Sequence, residues 1–448
     1  MPRWLYGLLL FAVLAALSTL FHIALPPLLL FVIAALGIIP LAALIGQAVE
    51  KIAEHTGERV GGLLFATFGN ATELIIGIFS LRAGLIEVVR ASIIGSILGN
   101  VLLVLGISTF VGSVKGGHLR FEPRPASQYA SLLVLCVGGL MLPTFAELFA
   151  AHEGHSLAQI SQNGVVLSDF IAVLLLVGYL ASILFSVFRV GDKPGDVEGD
   201  AFDPLVGERS TAAVMRLLNY RHHIAKSQRA GKSGVLRQID STVAAIIDHE
   251  EQHRHAARSG VEPALPASPL SVNPAVAGAD FGDAAPAKRA KTDEKPALIP
   301  ALILLALATI GVGYISDILV GSIEPLTQAL HWNTAFVGLV FIPLIGGLPE
   351  YFNTISMALE KRMGMVLAAS AGSSIQIALL MAPILVLVSL TTPLRLDLVF
   401  SIVELAVLGL ATFLFSEITR DGELVWLEGL LLILLYAMMG GTIFIFGS

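Results

Sequence analysis

The chain has 448 residues, of which 55% are hydrophobic and only 14% charged, against about 25% charged in an ordinary soluble protein. That balance excludes a soluble enzyme, and a lone Cys136 within an apolar run excludes a disulfide-built secreted domain. A net charge of −7 gives no reason to expect nucleic acid as a partner. Residues 192–295 hold 14 of the 27 Lys/Arg and 15 of the 34 Asp/Glu, so the sequence reads as a polytopic membrane protein carrying one long polar loop.

A hydrocarbon core about 30 Å thick takes roughly 20 apolar residues per helix. In chain order eleven stretches qualify: 4–21, 25–48, 60–82, 88–112, 127–150, 163–188, 297–320, 333–359, 363–389, 394–416 and 424–446. The first resembles a signal peptide, but its apolar run is long for one and further spans follow, so it reads as a membrane helix. Short loops on the amino-terminal side carry nine Lys/Arg and those on the opposite side three. By the positive-inside rule the amino terminus and the long loop face the cytoplasm of a cell (inner) membrane, and an odd helix count puts the carboxyl terminus outside.

Within the loop, Val235, Leu236, Ile239, Val243, Ile246 and Ile247 recur every three or four positions, predicting an amphipathic helix, with a second over 212–225. From Ala257 to Lys295 the chain is rich in Ala, Pro and charge, a composition expected to stay disordered. His249 and His253 are four apart, a metal-compatible spacing that more commonly belongs to a solvated helix face.

The two sides of the loop resemble each other. Gly69-Asn-Ala-Thr-Glu73 is followed, 22 residues after the Glu, by Gly95-Ser96; Gly346-Gly-Leu-Pro-Glu350 is followed at the same interval by Gly372-Ser373. The fold class read from this is an all-α bundle of about 11 transmembrane helices: one extra helix over 1–22, a five-helix repeat over 23–190, the loop over 191–296 and a second five-helix repeat over 297–448. Five is odd, so the second repeat enters the membrane from the opposite side, an inverted arrangement common among secondary transporters.

Glu73 and Glu350 carry the chemistry. A carboxylate at the bilayer centre costs about 3 kcal/mol even on the lenient insertion scale, and such acids mark ion pathways by default. Pro343 and Pro349 remove helix donors, and Gly346 and Gly347 favour unwinding, so carbonyl oxygens near Glu350 are freed. Ser92, Ser96 and Asn100 form one helical stripe, while Ser370 and Ser374, with Ser373 and Gln376 beside them, line another helix. Packing alone would explain the Ser and Gly residues, and explains Asn100 and Gln376 less well. The donor set is all oxygen, which suits Ca²⁺ better than Zn²⁺ or Cu⁺. Two ionised carboxylates balance one divalent cation; without it, two adjacent buried charges are costly, so protons take its place. Competition for one pair of acids then couples Ca²⁺ to H⁺ with no resident cofactor. Glu404 is a candidate for the proton path, with a hydrogen-bonded structural role as the alternative. Glu147, Asp169, Asp317 and Glu428 fall near span ends, where solvated heads are expected.

At these residues the sequence resembles the calcium/cation antiporter superfamily, and most of all its calcium/proton exchanger branch. Gly69-Asn-Ala-Thr-Glu73 with Gly95-Ser-Ile-Leu-Gly-Asn100 resembles the first signature repeat, and Gly372-Ser-Ser-Ile-Gln-Ile-Ala378 half of the second. Leu142-Pro143, Leu167-Ser168 and Phe400-Ser401 with Glu404 fit the same branch. The resemblance implies a Ca²⁺/H⁺ antiporter, not an enzyme, with Glu73 and Glu350 shared by the two ions and Asn70, Ser96, Ser373 and Gln376 in support. Members of the branch usually carry Gly-Asn-Ala-Ala-Glu-His in the second repeat; here it reads Gly346-Gly-Leu-Pro-Glu-Tyr351, without the amide or the His. Asn353, three residues after Glu350, is the expected source of that amide. The readings carried beside this one are a Na⁺/Ca²⁺ or other cation antiporter of the same fold and, from another class, a channel or a membrane sensor. The expected partners are the two ions and the lipid bilayer, with homo-oligomerisation left open.

Overall fold

A computed structural model describes residues 3–56, 64, 67–154, 156–188 and 298–446. The chain divides into one unit of residues 1–193 with 294–448 and another of residues 194–293. The second, with the loop's expected helices, disorder and His residues, lies outside the described residues, as does most of the start of the 60–82 span.

The first unit is helical, as a polytopic membrane protein must be, because lipid offers backbone groups no partner. Among the described residues seven helices are long and apolar enough to cross a membrane, and a bent pair makes an eighth. Leu9–Leu20 is shorter and lies against Pro27–Thr56. Gly37 permits that approach: a Cβ there would sit 2.7 Å from the Ala12 backbone.

The Ile86–Gly116 helix runs through the centre. Its Ile93, Ile94, Ile97 and Leu98 are almost wholly buried, and the polar Ser92, Ser96 and Asn100 are buried with them. Pro123–His152, Leu157–Phe188 and Leu298–Leu330 stand further out and expose Leu135, Phe149, Val166, Phe170, Ile299 and Ile310. The 333–359 span breaks as expected: Thr334–Gly346 and Leu348–Leu359 meet at a 60° bend.

Two expectations need correction. A short antiparallel ladder, Leu119 opposite Leu424 and Arg120 opposite Glu423, joins two loops of an otherwise helical unit. More important, the stretch expected as a helix over 394–416 is not helical at its start. Residues 395–401 form no regular secondary structure and the helix runs from Ile402 to Ile418. Leu396, Leu398 and Phe400 of this irregular segment are buried, and side chains accept from Leu398, Phe400 and Ser401. Leu398 N donates to Ser168 Oγ (2.9 Å), Phe400 N to Thr144 Oγ1 (2.9 Å) and Ser401 N to Glu404 Oε2 (2.9 Å). Irregular backbone at membrane depth survives only under such cover. Arg90 pairs with Asp397 (2.5 Å) and Arg395 with both oxygens of Asp169 (2.6 and 2.7 Å). Asp169 is therefore an ion-pair anchor and not the solvated head its position suggested. Glu428 likewise accepts from Val425 N at 2.8 Å. Asp317 is exposed, as expected.

Candidate ion site

Both central acids sit at equivalent places in their helices. Residues 69–70 form a turn, and Glu73 is the third residue of Ala71–Arg82. Gly347 forms a turn, and Glu350 is the third residue of Leu348–Leu359. The acids are thus mid-span in sequence but lie in the first turn of a helix that restarts after a break. There the helix dipole favours negative charge, although Glu350 N already donates to Gly347 O at 2.9 Å.

The break also creates room. A Cβ at Gly346 would lie 2.8–3.0 Å from Glu73 Cγ, Cδ and Oε1, so the carboxylate rests on a glycine backbone four residues ahead of Glu350. Glu73 is 5% exposed, and its Oε2 is buried with no hydrogen-bond partner.

A connected amide and hydroxyl network reaches Glu350. Asn70 is a residue type that normally caps its own helix, yet its side chain makes no cap bond. It turns to another helix: Nδ2 donates to Gln376 Oε1 (3.1 Å), and Oδ1 faces Ser373 Oγ (2.8 Å). Ser373 Oγ is also 3.0 Å from Glu350 Oε1. One hydroxyl has one proton, so only one of these two acceptors is satisfied at a time.

Of the residues singled out by sequence, Glu73, Glu350, Asn70, Ser373 and Gln376 come together. Ser96 is buried with its hydroxyl unpartnered, on the helix that packs against the bent span. Asn100 is buried nearby, and its backbone carbonyl accepts from Ser370 Oγ. Neither Ser96 nor Asn100 hydrogen-bonds a carboxylate among the described residues. Ser92 returns its hydroxyl to Val89 O (2.8 Å) in its own helix, while Ser374 Oγ lies 2.9 Å from Ser370 O and 3.4 Å from Ile97 O on the neighbouring helix.

Two candidates lie apart from this network. Asn353 is exposed; the amides joined to Glu350 through Ser373 are those of Asn70 and Gln376, on other helices. Glu404, carried as a candidate for the proton path with a hydrogen-bonded structural role as the alternative, lies in the first turn of its helix and forms a capping box with Ser401, whose Oγ accepts from Glu404 N while Glu404 Oε2 accepts from Ser401 N. Tyr351, Tyr436, Thr144 and the Arg90–Asp397 pair were not foreseen at all. The aromatic residue directly after Glu350 and the helix-poor Thr391-Thr-Pro-Leu-Arg395 were the only signals available.

The backbone supports the site at unusually short range. A Cβ at Gly95 would come within 2.1 Å of Leu339 O, and one at Gly338 within 2.5 Å of Val88 O. Three π-helical segments, Gly99–Val104, Val337–Phe341 and Ile377–Met381, surround this crossing; such segments free carbonyls and concentrate at functional sites. Among the described residues no group of three or more His, Cys, Asp or Glu is present. A cation here would meet two carboxylates and neutral oxygens.

The model of the family described as "Sodium/calcium exchanger protein" matches residues 26–188 and 300–444. A Ca(2+)/H(+) antiporter of Synechocystis sp. is 32% identical, over 92% of this chain and 90% of its own. One of Aphanothece halophytica is 30% identical, over 98% and 95%. The solved structure of native YfkE superposes with a TM-score of 0.66 at 26% identity, covering 98% of this chain and 99% of its own.

Proposed function

The chain belongs to the sodium/calcium exchanger protein family, and from that premise we propose that it exchanges Ca²⁺ for H⁺ across a membrane by alternating access. The observation that carries this reading is the pairing of Glu73 and Glu350. Each stands in the first turn of a restarted helix, one against Gly346 and the other against Ser373. With both acids ionised, Ca²⁺ takes the carboxylate oxygens, including the free Glu73 Oε2. Asn70 Oδ1 and the Ser96 hydroxyl are further oxygens within this part of the bundle. When protons replace the ion, a protonated Glu350 donates a hydrogen bond to Ser373 Oγ, whose own hydroxyl then donates a hydrogen bond to Asn70 Oδ1. The shared hydroxyl thus serves both loads.

The architecture proposed with it is an extra amino-terminal helix over 1–22 and two inverted five-helix repeats over 23–190 and 297–448, eleven spans in all. Supporting it are the glycine break before each Glu and the π segment that follows each Gly-Ser pair, Gly99–Val104 after Gly95-Ser96 and Ile377–Met381 after Gly372-Ser373. The long loop and amino terminus face the cytoplasm and the carboxyl terminus the outside. The ions are cargo, and the protein works without a resident cofactor.

Uptake of ⁴⁵Ca²⁺ into vesicles tests the reading. An imposed pH gradient should drive it and an imposed Na⁺ gradient should not. Uptake driven by Na⁺ alone would establish the sodium-coupled alternative, and flux without any counter-ion gradient a channel. The names of the Synechocystis and Aphanothece relatives favour the proton.

A further inference from the structure

The two sides of the ion site are built on matching frames and filled differently. When Glu73 is set on Glu350, Ala71–Arg82 and Leu348–Leu359 align end to end, as do Ile86 and Met363, the first residues of the helices that follow. In this alignment Asn70 falls on Gly347, Leu74 on Tyr351, Ser96 on Ser373 and Gly99 on Gln376.

One side carries an amide pair. Asn70 Nδ2 donates to Gln376 Oε1, and Ser373 Oγ stands between Asn70 Oδ1 and Glu350 Oε1. The counterpart contacts would join residue 347 to residue 99 and to Ser96, but both 347 and 99 are glycine. A tyrosine takes the space instead. A Cβ at Gly347 would lie 3.6 Å from Tyr351 Cε2, and one at Gly99 would lie 3.8 Å from Tyr351 Oη. The Tyr351 side chain, 6% exposed, therefore spans the two positions from which a second amide pair would project. Leu74, its equivalent, packs against the hydrophobic core.

The Ser373 to Glu350 contact lacks its counterpart as well: Ser96 Oγ and Glu73 Oε2 are both buried and unpartnered. The Gly347 point that lies beside the tyrosine ring is also 3.7 Å from Glu73 Oε1. Ring and carboxylate flank the same residue, so Tyr351 borders the acid that still has an oxygen to give. An aromatic ring is rigid, and choice among cations that prefer oxygen follows cavity size, ligand number and flexibility.

We infer that Tyr351 is a specificity-determining wall of the ion site, limiting the radius of the divalent cation that fits against Glu73 and so rejecting Ba²⁺ relative to Ca²⁺. The inference rests on the exchange reading above and adds a size limit to its cargo. Tyr351 acts by filling space, while the two glutamates supply the charge.

The test uses the full chain in vesicles. Uptake of ⁴⁵Ca²⁺ driven by a pH gradient is competed with unlabelled Ca²⁺ or Ba²⁺, and the ratio of the half-inhibiting Ba²⁺ concentration to that of Ca²⁺ is compared among variants. In Tyr351→Leu, which copies Leu74 and removes the ring, the ratio should fall about tenfold, the scale of single-group changes in a fitted pocket. Tyr351→Phe keeps the ring and should keep the parent ratio. Gly347→Ala sets a methyl between the ring and the Glu73 carboxylate and should raise the ratio; its Cβ also lies 3.0 Å from Pro343 O, a contact relieved by a small shift. An unmoved ratio in Tyr351→Leu overturns the inference. A Tyr351→Phe ratio as low as that of Tyr351→Leu also overturns it, by assigning the choice to the hydroxyl. If Tyr351→Leu does not fold, Gly347→Ala decides, and an unmoved or lower ratio there overturns the wall. Proton-driven uptake by the parent with unmoved ratios sinks this inference only; no such uptake by the parent removes the exchange reading and this one with it.

Discussion

Two polar regions lie inside the bundle, and they treat their hydrogen bonds in opposite ways. Around residues 395–401 the buried backbone donors of Leu398, Phe400 and Ser401 are met by Ser168, Thr144 and Glu404. The arginines close on Asp397 and Asp169 through Nη2, and their Nε atoms are buried without a partner. Around Glu73, by contrast, Glu73 Oε2 and Ser96 Oγ remain unpartnered, and Ser373 has one proton for two acceptors. Burial makes spare capacity expensive. A region that satisfies itself is structural; one that keeps polar atoms in reserve is built for something that comes and goes.

The contrast breaks most sharply at the acids. Glu73→Gln or Glu350→Gln should lower ⁴⁵Ca²⁺ uptake by at least about a hundredfold while the protein elutes as a folded species, since removing a charged partner of a buried cation costs about 3–5 kcal/mol. Full exchange in both variants would refute the site. Next in size is Gly95→Val. With a Cβ 2.1 Å from Leu339 O, the helix crossing must open, and a fall in Tm equivalent to about 3 kcal/mol or more is expected. The irregular segment responds differently. Thr144→Val leaves Phe400 N without its acceptor and should cost about 1–3 kcal/mol, read as a lower Tm with the Ca²⁺ KM of the folded fraction unchanged. Glu404→Ala, which removes half of a capping box, should cost about 1 kcal/mol and leave proton coupling intact; lost coupling would return Glu404 to the proton path. Smallest is Asn353→Ala. Exposed and outside the network, it should change Ca²⁺ KM by less than about twofold, in line with surface substitutions within about 0.5 kcal/mol.

The helical spans were legible because hydrophobic length is a direct response to bilayer thickness. The acids were legible because a charge within an apolar run has no inexpensive explanation. Asn353 misled because spacing along one helix was used to place an amide that the structure supplies from Asn70 and Gln376. Residues 395–401 misled because Leu396, Leu398 and Phe400 are as apolar as a helix face, and hydropathy does not distinguish helix from other buried chain.

The amino-acid sequence by itself determined that this chain is a membrane bundle with two glycine-flanked acids at matching positions, since composition and spacing are one-dimensional quantities. Only the tertiary structure decided that Glu73 would rest on Gly346, that Ser373 would stand between Asn70 and Glu350, and that Thr144 and Ser168 would hold an irregular segment in place. Each of these contacts joins residues far apart along the chain or on separate helices. Which oxygen meets which proton is fixed by helix packing at distances of a few ångströms, and no local pattern encodes that.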